Sequence, residues 1–425
     1  MTLVGLFGLF VVLLLLGLPI AIALALASVA LLAATADFTL YMIAQRMFSS
    51  LDSSALVAIP GFVLAGAIMA HGGISSRIIT ALRYWVGHLP GGLSLVTVAS
   101  CALFAAMSGS SPATSAAVGG TLIPAMVANG YNKRYAMGVV AASGTLGILI
   151  PPSITFVLIG VTAGESIGRL FMAGVVPGLF LAGALGLAAI VMARMHGYRS
   201  EARATWRERW VASWRALPGV FLPIVVLGSI YGGITTPTEA AVLAVFYALA
   251  VAMFVYRELT WSGMRTVMRD AVGVTSMIFL IIPAAMTFAM YLSSEQVPQH
   301  VAEWVASRGL GAAGFWAAAM AMFFVMGTFL DAVAIVLITL PILLPIIRAL
   351  DINVVHFAVA MVVNMEIAMI TPPVGLNLFV VAGVSNAPLG DAVRGVLPFL
   401  LVMVLALLAI VLFPSLSLML PSRVF

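Results

Sequence analysis

Twice in this chain an apolar segment of membrane length is interrupted by glycines and a proline pair. The early break reads Ser143-Gly-Thr-Leu-Gly-Ile-Leu-Ile-Pro151-Pro152, the late one Asn364-Met-Glu-Ile-Ala-Met-Ile-Thr371-Pro372-Pro373-Val-Gly-Leu-Asn377. Hydrocarbon offers no partner to a backbone N–H or C=O, so such breaks persist at bilayer depth only where protein or a polar cavity supplies one. Corresponding breaks in two halves of a chain point to an ion and solute site near the midplane, which is the signature of a transporter.

The two halves align on proline. The differences 372 − 151, 398 − 177 and 345 − 124 are all 221, matching Pro151 with Pro372, Pro177 with Pro398 and Pro124 with Pro345. Three anchors at one offset, with similar flanks, indicate an internal duplication.

Composition fixes the solvent. Of 425 residues 63% are hydrophobic and 8% charged, against about a quarter charged in soluble domains, so nearly the whole chain belongs in a lipid bilayer. The net charge of +5 comes from arginine-rich loops; no folded polar face gathers it, which argues against nucleic acid as a partner. The single cysteine, Cys101, sits in an apolar run, permits no internal disulfide and supplies no metal set.

Residues 3–34 are far longer than the apolar stretch of a signal peptide and lack a basic lead, so they read as a retained membrane helix with no cleaved segment. Further spans are expected near 54–70, 134–162, 170–193, 217–235, 238–256, 272–292, 355–385 and 391–420. Two stretches, near 93–128 and 312–347, carry a polar tip in the middle and read as re-entrant hairpins of two short helices. Their tips are Met107-Ser-Gly-Ser-Ser-Pro-Ala-Thr114-Ser115 and Met326-Gly-Thr-Phe-Leu-Asp331.

Arg194, Arg199, Arg203, Arg207, Arg209 and Arg215 crowd the segment between the halves, which the positive-inside rule places in the cytoplasm. Counted outward from there, Arg77, Arg83, Lys133, Arg134, Arg257, Arg265 and Arg269 also face inside, while Glu295–Arg308 faces outside. The first hairpin then opens to the cytoplasm and the second to the exterior, as in an inverted repeat. The side of the N-terminus stays open, with the inside preferred. Ile74–His88 and Trp261–Asp270 read as amphipathic helices along the interface, with Tyr84, Trp85 and Trp261 at that depth.

Five runs carry a family resemblance. They are Gly109-Ser-Ser-Pro-Ala-Thr-Ser-Ala-Ala-Val-Gly-Gly-Thr-Leu-Ile-Pro124, Gly144-Thr-Leu-Gly-Ile-Leu-Ile-Pro-Pro-Ser153, Thr236-Pro-Thr-Glu239, Gly327-Thr-Phe-Leu-Asp331 with Pro341-Ile-Leu-Leu-Pro345, and Thr371-Pro-Pro-Val-Gly-Leu-Asn377. With flanks from Leu16 to Pro414, the chain resembles the large membrane subunit of the tripartite ATP-independent periplasmic (TRAP) transporters essentially end to end. The resemblance implies an all-α polytopic fold, an inverted repeat with two re-entrant hairpins and two broken helices that form an elevator-type transport domain on a scaffold. It implies sodium-driven uptake of a small organic acid across the bacterial inner membrane, with sodium as coupling ion and no other cofactor. Two partners follow: a small four-helix membrane subunit and a periplasmic substrate-binding protein. On this reading residues 1–92 hold scaffold helices and a first arm, and 93–193 the first hairpin, broken helix and following span. Residues 194–216 form a basic cytoplasmic linker, 217–311 the scaffold helices and second arm, and 312–420 the second hairpin, broken helix and last span.

Sodium is a hard cation, and unwound carbonyls with helix C-termini supply oxygen ligands without burying a charge. The first site is expected from Ser108, Gly109 and Ser110 at the hairpin tip facing Ser143, Gly144 and Gly147. By the same offset the second pairs Gly327, Thr328 and Asp331 with Met369, Thr371 and Gly375. Asp331 is the sharpest carboxylate, since an ionisable group in a membrane segment is functional by default; as a bare helix N-cap it would serve structure alone. No basic residue occupies either break, so a substrate carboxylate would rest on hydroxyls, amides and helix N-termini, namely Ser111, Thr114, Ser153, Asn364 and Asn377. Glu366 either binds a cation or proton or faces the scaffold; Glu239 reads as part of a helix cap after Thr236.

Other classes fit less well. A serine-based enzyme needs a base within reach of Ser108 or Ser110, and the five histidines fall at segment ends or loops. No Gly-x-x-x-x-Gly-Lys-Ser/Thr loop exists for ATP hydrolysis. A channel has no repeated filter segment. A stand-alone sodium/anion symporter of the same hairpin architecture is the rival.

Overall fold

The computed structural model describes residues 2–34, 38–198, 200–307 and 311–424. Among these every regular element is a helix, and eight helices are long and apolar enough to cross a membrane. Arg199 and Arg308, two of the charges used to orient the chain, lie outside the described residues.

The 221-residue offset recurs in part of the element boundaries. The first hairpin consists of Gly92–Ser108 and Ser111–Ala128, the second of Gly311–Gly327 and Ala332–Ala349. The two second helices start and end 221 residues apart, since 332 − 111 and 349 − 128 are both 221. Each hairpin is followed by a broken helix: Lys133–Gly144, Leu146–Leu149 and Ile154–Ala163 in the first half, Val354–Met369 and Leu376–Ser385 in the second. The peptide bonds Pro151-Pro152 and Pro372-Pro373 are both cis.

Glycine lets these pieces approach. A Cβ at Gly138 would collide with the backbone of Gly395, so Lys133–Gly144 and the long helix Leu389–Leu412 touch through their backbones. The Arg134 Nε to Asp391 Oδ1 ion pair, at 2.7 Å, closes the same contact. Likewise Ala58–His71 packs on Pro237–Ala250, where a Cβ at Gly61 would lie 2.8 Å from Ala241 Cβ.

The amphipathic helix expected at Ile74–His88 forms as Ile74–Val86. It lies against Trp206–Tyr231: Trp85 Nε1 donates to Ser213 Oγ at 2.8 Å, and Arg83 pairs with Glu201 in the connecting segment. Arg209 stacks over Trp85 and Trp206, 5.5 and 5.3 Å from the ring centroids. The helix expected at 217–235 begins earlier, because Thr205 and Glu208 form a capping box that starts it at Trp206.

Two expectations are corrected. Residues 3–34 are two helices, Thr2–Leu15 and Ile20–Ala34. Gly17 takes φ +83°, and Gly17 N–H to Leu14 O with Leu18 N–H to Leu13 O close a Schellman turn that Pro19 then prevents from resuming. Uniform apolarity conceals this stop. Trp261–Asp270 is no separate arm either: it is the start of one helix, Trp261–Ser294. Its polar residues Arg265, Arg269 and Asp270 interrupt the hydropathy, but none of them breaks a helix.

Candidate functional site

The first hairpin tip is shaped by three small residues. Gly109 turns at φ +60°, where its missing Cβ leaves room for the Pro152 carbonyl 2.9 Å away. Ser110, in extended backbone, caps the second helix by accepting from the Ala113 N–H at 3.5 Å. Ser108 Oγ lies 2.8 Å from Thr114 Oγ1, which donates to the Ser110 carbonyl at 2.8 Å. The tip rests directly on the first break. A Cβ at Gly147 would lie 2.6 Å from Ser110 O and 2.7 Å from Ser111 Cα, and one at Gly144 would collide with Ser115. Beside them Ser143 Oγ is buried without a partner. Ser108, Gly109, Ser110, Gly144 and Gly147 therefore meet at one crossing, with Ser143 adjoining it.

The second crossing repeats the plan with different side chains. A Cβ at Gly327 would lie 2.6 Å from Ala368 Cβ, and the Val374 N–H donates to the Thr328 carbonyl at 3.3 Å. Thr371 Oγ1 turns back to the Ile367 carbonyl at 2.7 Å, just beyond Met369, where the helix ends. Gly375 takes φ +57°, and a Cβ there would come 3.0 Å from Thr371 O. Asp331 occupies the N-cap position of Ala332–Ala349 but closes no cap hydrogen bond. Its carboxylate faces the amides of the first turn, and Oδ2 is buried without a partner.

The five residues expected at a substrate are all buried. Ser111 is fully buried and its Oγ donates to Glu366 Oε1 at 2.5 Å. Thr114 belongs to the tip network, and Ser153 caps Ile154–Ala163 by accepting from Phe156 N–H at 3.4 Å. Asn364 Nδ2 donates to the Met320 carbonyl at 2.8 Å, tying the second broken helix to its hairpin. Asn377 is fully buried with both side-chain polar atoms unpartnered.

Sequence reasoning leaves Glu366 outside both sets and overlooks Ser115 and Thr145. The register contains the signal: 366 − 145 is 221, so the second half carries a carboxyl where the first carries a hydroxyl. Glu239, by contrast, does form the cap expected of it, accepting from the Thr236 N–H at 2.8 Å.

Between the first hairpin and the helix Ala58–His71 lies a cavity of about 660 Å³, a size that holds small molecules. Its inner end reaches Ser108 and Ser110, and its wall includes Gly66, His71, Glu258 and Asp270. At Gly66 an added Cβ would lie 3.1 Å from Ser108 Cα, so Ala58–His71 and the hairpin touch there almost without side chains.

Known proteins share this chain's sequence and fold. Residues 7–416 match the family model described as tripartite ATP-independent periplasmic transporter, DctM component. The C4-dicarboxylate TRAP transporter large permease protein DctM of Rhodobacter capsulatus is 40% identical over 98% of both chains. Its namesake in Pseudomonas aeruginosa is 44% identical over 89% of both. An isethionate TRAP transporter permease protein, DctMQ of Oleidesulfovibrio alaskensis, is 41% identical over 95% of this chain and 64% of its own length. Among solved structures, the YdaH transporter of Alcanivorax borkumensis superposes with a TM-score of 0.63 over 98% of both chains at 14% identity, a likeness of fold alone. Matched along nearly its whole length, this chain belongs to the large permease subunits of the tripartite ATP-independent periplasmic transporters, a family of membrane permeases and not of enzymes.

Proposed function

We propose that the chain takes up a small organic acid across the bacterial inner membrane, driven by sodium and supplied by a periplasmic binding protein. A small four-helix membrane subunit completes the assembly. The observation that carries this reading is the pair of hairpin-on-break crossings, rich in neutral oxygens and free of Lys and Arg among the described residues. Carbonyls and hydroxyls of this kind suit sodium, whose bound charge then helps hold a carboxylate. C4-dicarboxylates are the first substrates to test, because two relatives at 40% and 44% identity carry that name.

The two hairpins and broken helices would form an inverted repeat that moves as one body past the scaffold. On the positive-inside reading, the cavity beside Ser108 and Ser110 opens toward the cytoplasmic loops, which corresponds to an inward-facing state. The test is reconstitution in liposomes of this chain with its small partner. Uptake should require both an inward sodium gradient and the loaded binding protein. Uptake without sodium overturns the coupling; sodium-driven uptake of free substrate alone favours the stand-alone symporter.

A further inference from the structure

Glu366 is a carboxyl shared by the two halves. It belongs to Val354–Met369 of the second half, its side chain is fully buried, and its Oε1 accepts from Ser111 at the start of the first hairpin's second helix. Ser111 Oγ also stands 3.5 Å from the carbonyl of Thr145 in the first break. The other carboxyl oxygen, Oε2, is buried without a partner.

Charge balance makes this arrangement informative. An ionised carboxylate withdrawn from water costs several kcal/mol, and one hydroxyl hydrogen bond returns only about 1.5–3 kcal/mol. The charged side chain that acts on it is Asp331, which is also acidic, and no Lys, Arg or His does so among the described residues. A neutral carboxyl could donate from Oε1 to Ser111 Oγ, whose own O–H would then turn to the Thr145 carbonyl, but this leaves Oε2 unserved. Oε2 would remain a buried acceptor without a donor, a loss of about 1–3 kcal/mol. The helix does not demand a carboxyl at this register, since its counterpart Thr145 satisfies itself on the Ala142 carbonyl at 2.5 Å. Among the described residues no three His, Cys, Asp or Glu side chains cluster as a multivalent ion would require.

We propose that Glu366, with the Ser111 hydroxyl and the Thr145 carbonyl, forms a monovalent-cation site between the first hairpin and the second broken helix. It adjoins the first crossing and ties it to the second broken helix when filled. Four oxygens from both halves would serve it: two of the carboxylate, one hydroxyl and one carbonyl. The ion supplies the positive charge that the surrounding protein lacks. The transport core would then close as a unit only when this position and the crossings are loaded, which couples the halves through a shared ligand.

This inference rests on the sodium-coupled reading, so its test begins with the wild-type complex. Glu366→Gln keeps the size of the side chain and an acceptor for Ser111 while removing the charge. In liposomes carrying the full complex, the Hill coefficient for sodium should fall by about one and the half-saturating sodium concentration rise about tenfold. The purified variant should also lose part of the sodium-dependent rise in melting temperature, a readout independent of uptake. Ser111→Ala, which leaves the charge in place, should raise the sodium midpoint with a smaller fold-change. It serves if Glu366→Gln fails to insert. A wild type indifferent to sodium overturns the parent reading; a sodium-driven wild type with unchanged curves in both variants overturns this site alone. A Glu366→Gln transporter that keeps the wild-type sodium curve but no longer responds to an inward proton gradient also overturns it, by assigning the carboxyl to a proton.

Discussion

Six residues at or beside the two crossings carry buried polar atoms without hydrogen-bond partners: Ser115, Ser143, Asp331, Asn364, Glu366 and Asn377. Each such atom costs about 1–3 kcal/mol in an apolar interior, and a core that tolerates several together is arranged around a ligand more than around its own stability. Asp331 separates the two explanations most cleanly. A residue retained only to cap Ala332–Ala349 would accept Asn at almost no cost, because Asn and Asp cap about equally, yet Asp331 closes no cap hydrogen bond. If its charge serves a cation, Asp331→Asn raises the sodium concentration for half-maximal uptake about tenfold, a loss of about 1.4 kcal/mol. Protein yield in the membrane should not change. A sodium titration of reconstituted protein reads the shift, and an unmoved midpoint would return Asp331 to capping.

At the scale of elements, the crossings depend on backbone-to-backbone contact that only glycine permits. Gly147→Val places a branched side chain where Ser110 O is already 2.6 Å from the Cβ position, so the hairpin tip must lift from the break. Uptake should fall below about a tenth of wild type with the protein still inserted. Gly183→Val, at an exposed position of the helix Ile167–Met195 where an added Cβ meets nothing within 4 Å, should leave uptake near normal and calibrates the general cost of the substitution. These contacts are legible in the amino-acid sequence, because a 221-residue register and paired Gly/Pro breaks specify which tip meets which break. Other features are not. The stop at Gly17-Leu18-Pro19 is hidden by apolarity on both sides, and hydropathy divides Trp261–Ser294 because Arg265, Arg269 and Asp270 lower it without breaking the helix. The bond from Ser111 to Glu366 spans 255 positions; hydrophobic periodicity carries no information about such a contact, and only the departure from the repeat at Thr145 and Glu366 marks the place.

For the whole molecule the decisive question is whether the hairpins and broken helices travel past the scaffold. The interface between them at Gly66 and Ser108 is nearly bare of side chains, with a Gly66 Cβ position 3.1 Å from Ser108 Cα, and the cavity of about 660 Å³ lies alongside. Small residues on both faces suit a sliding contact, since they offer neither interlocking ridges nor specific bonds to break. The same closeness allows it to be fixed: cysteines at Gly66 and Ser108 would bring their sulfurs within disulfide reach, which needs Cβ atoms about 3.5–4.5 Å apart. Cys101, the native thiol, is buried on the first hairpin and would not compete. The double variant Gly66→Cys with Ser108→Cys should cross-link under mild oxidant, lose all sodium-driven uptake, and recover on reduction to the level of Ser108→Cys alone. Quantitative cross-linking with uptake intact would show that the first hairpin stays put against Ala58–His71 throughout transport, and a moving transport body would have to be abandoned.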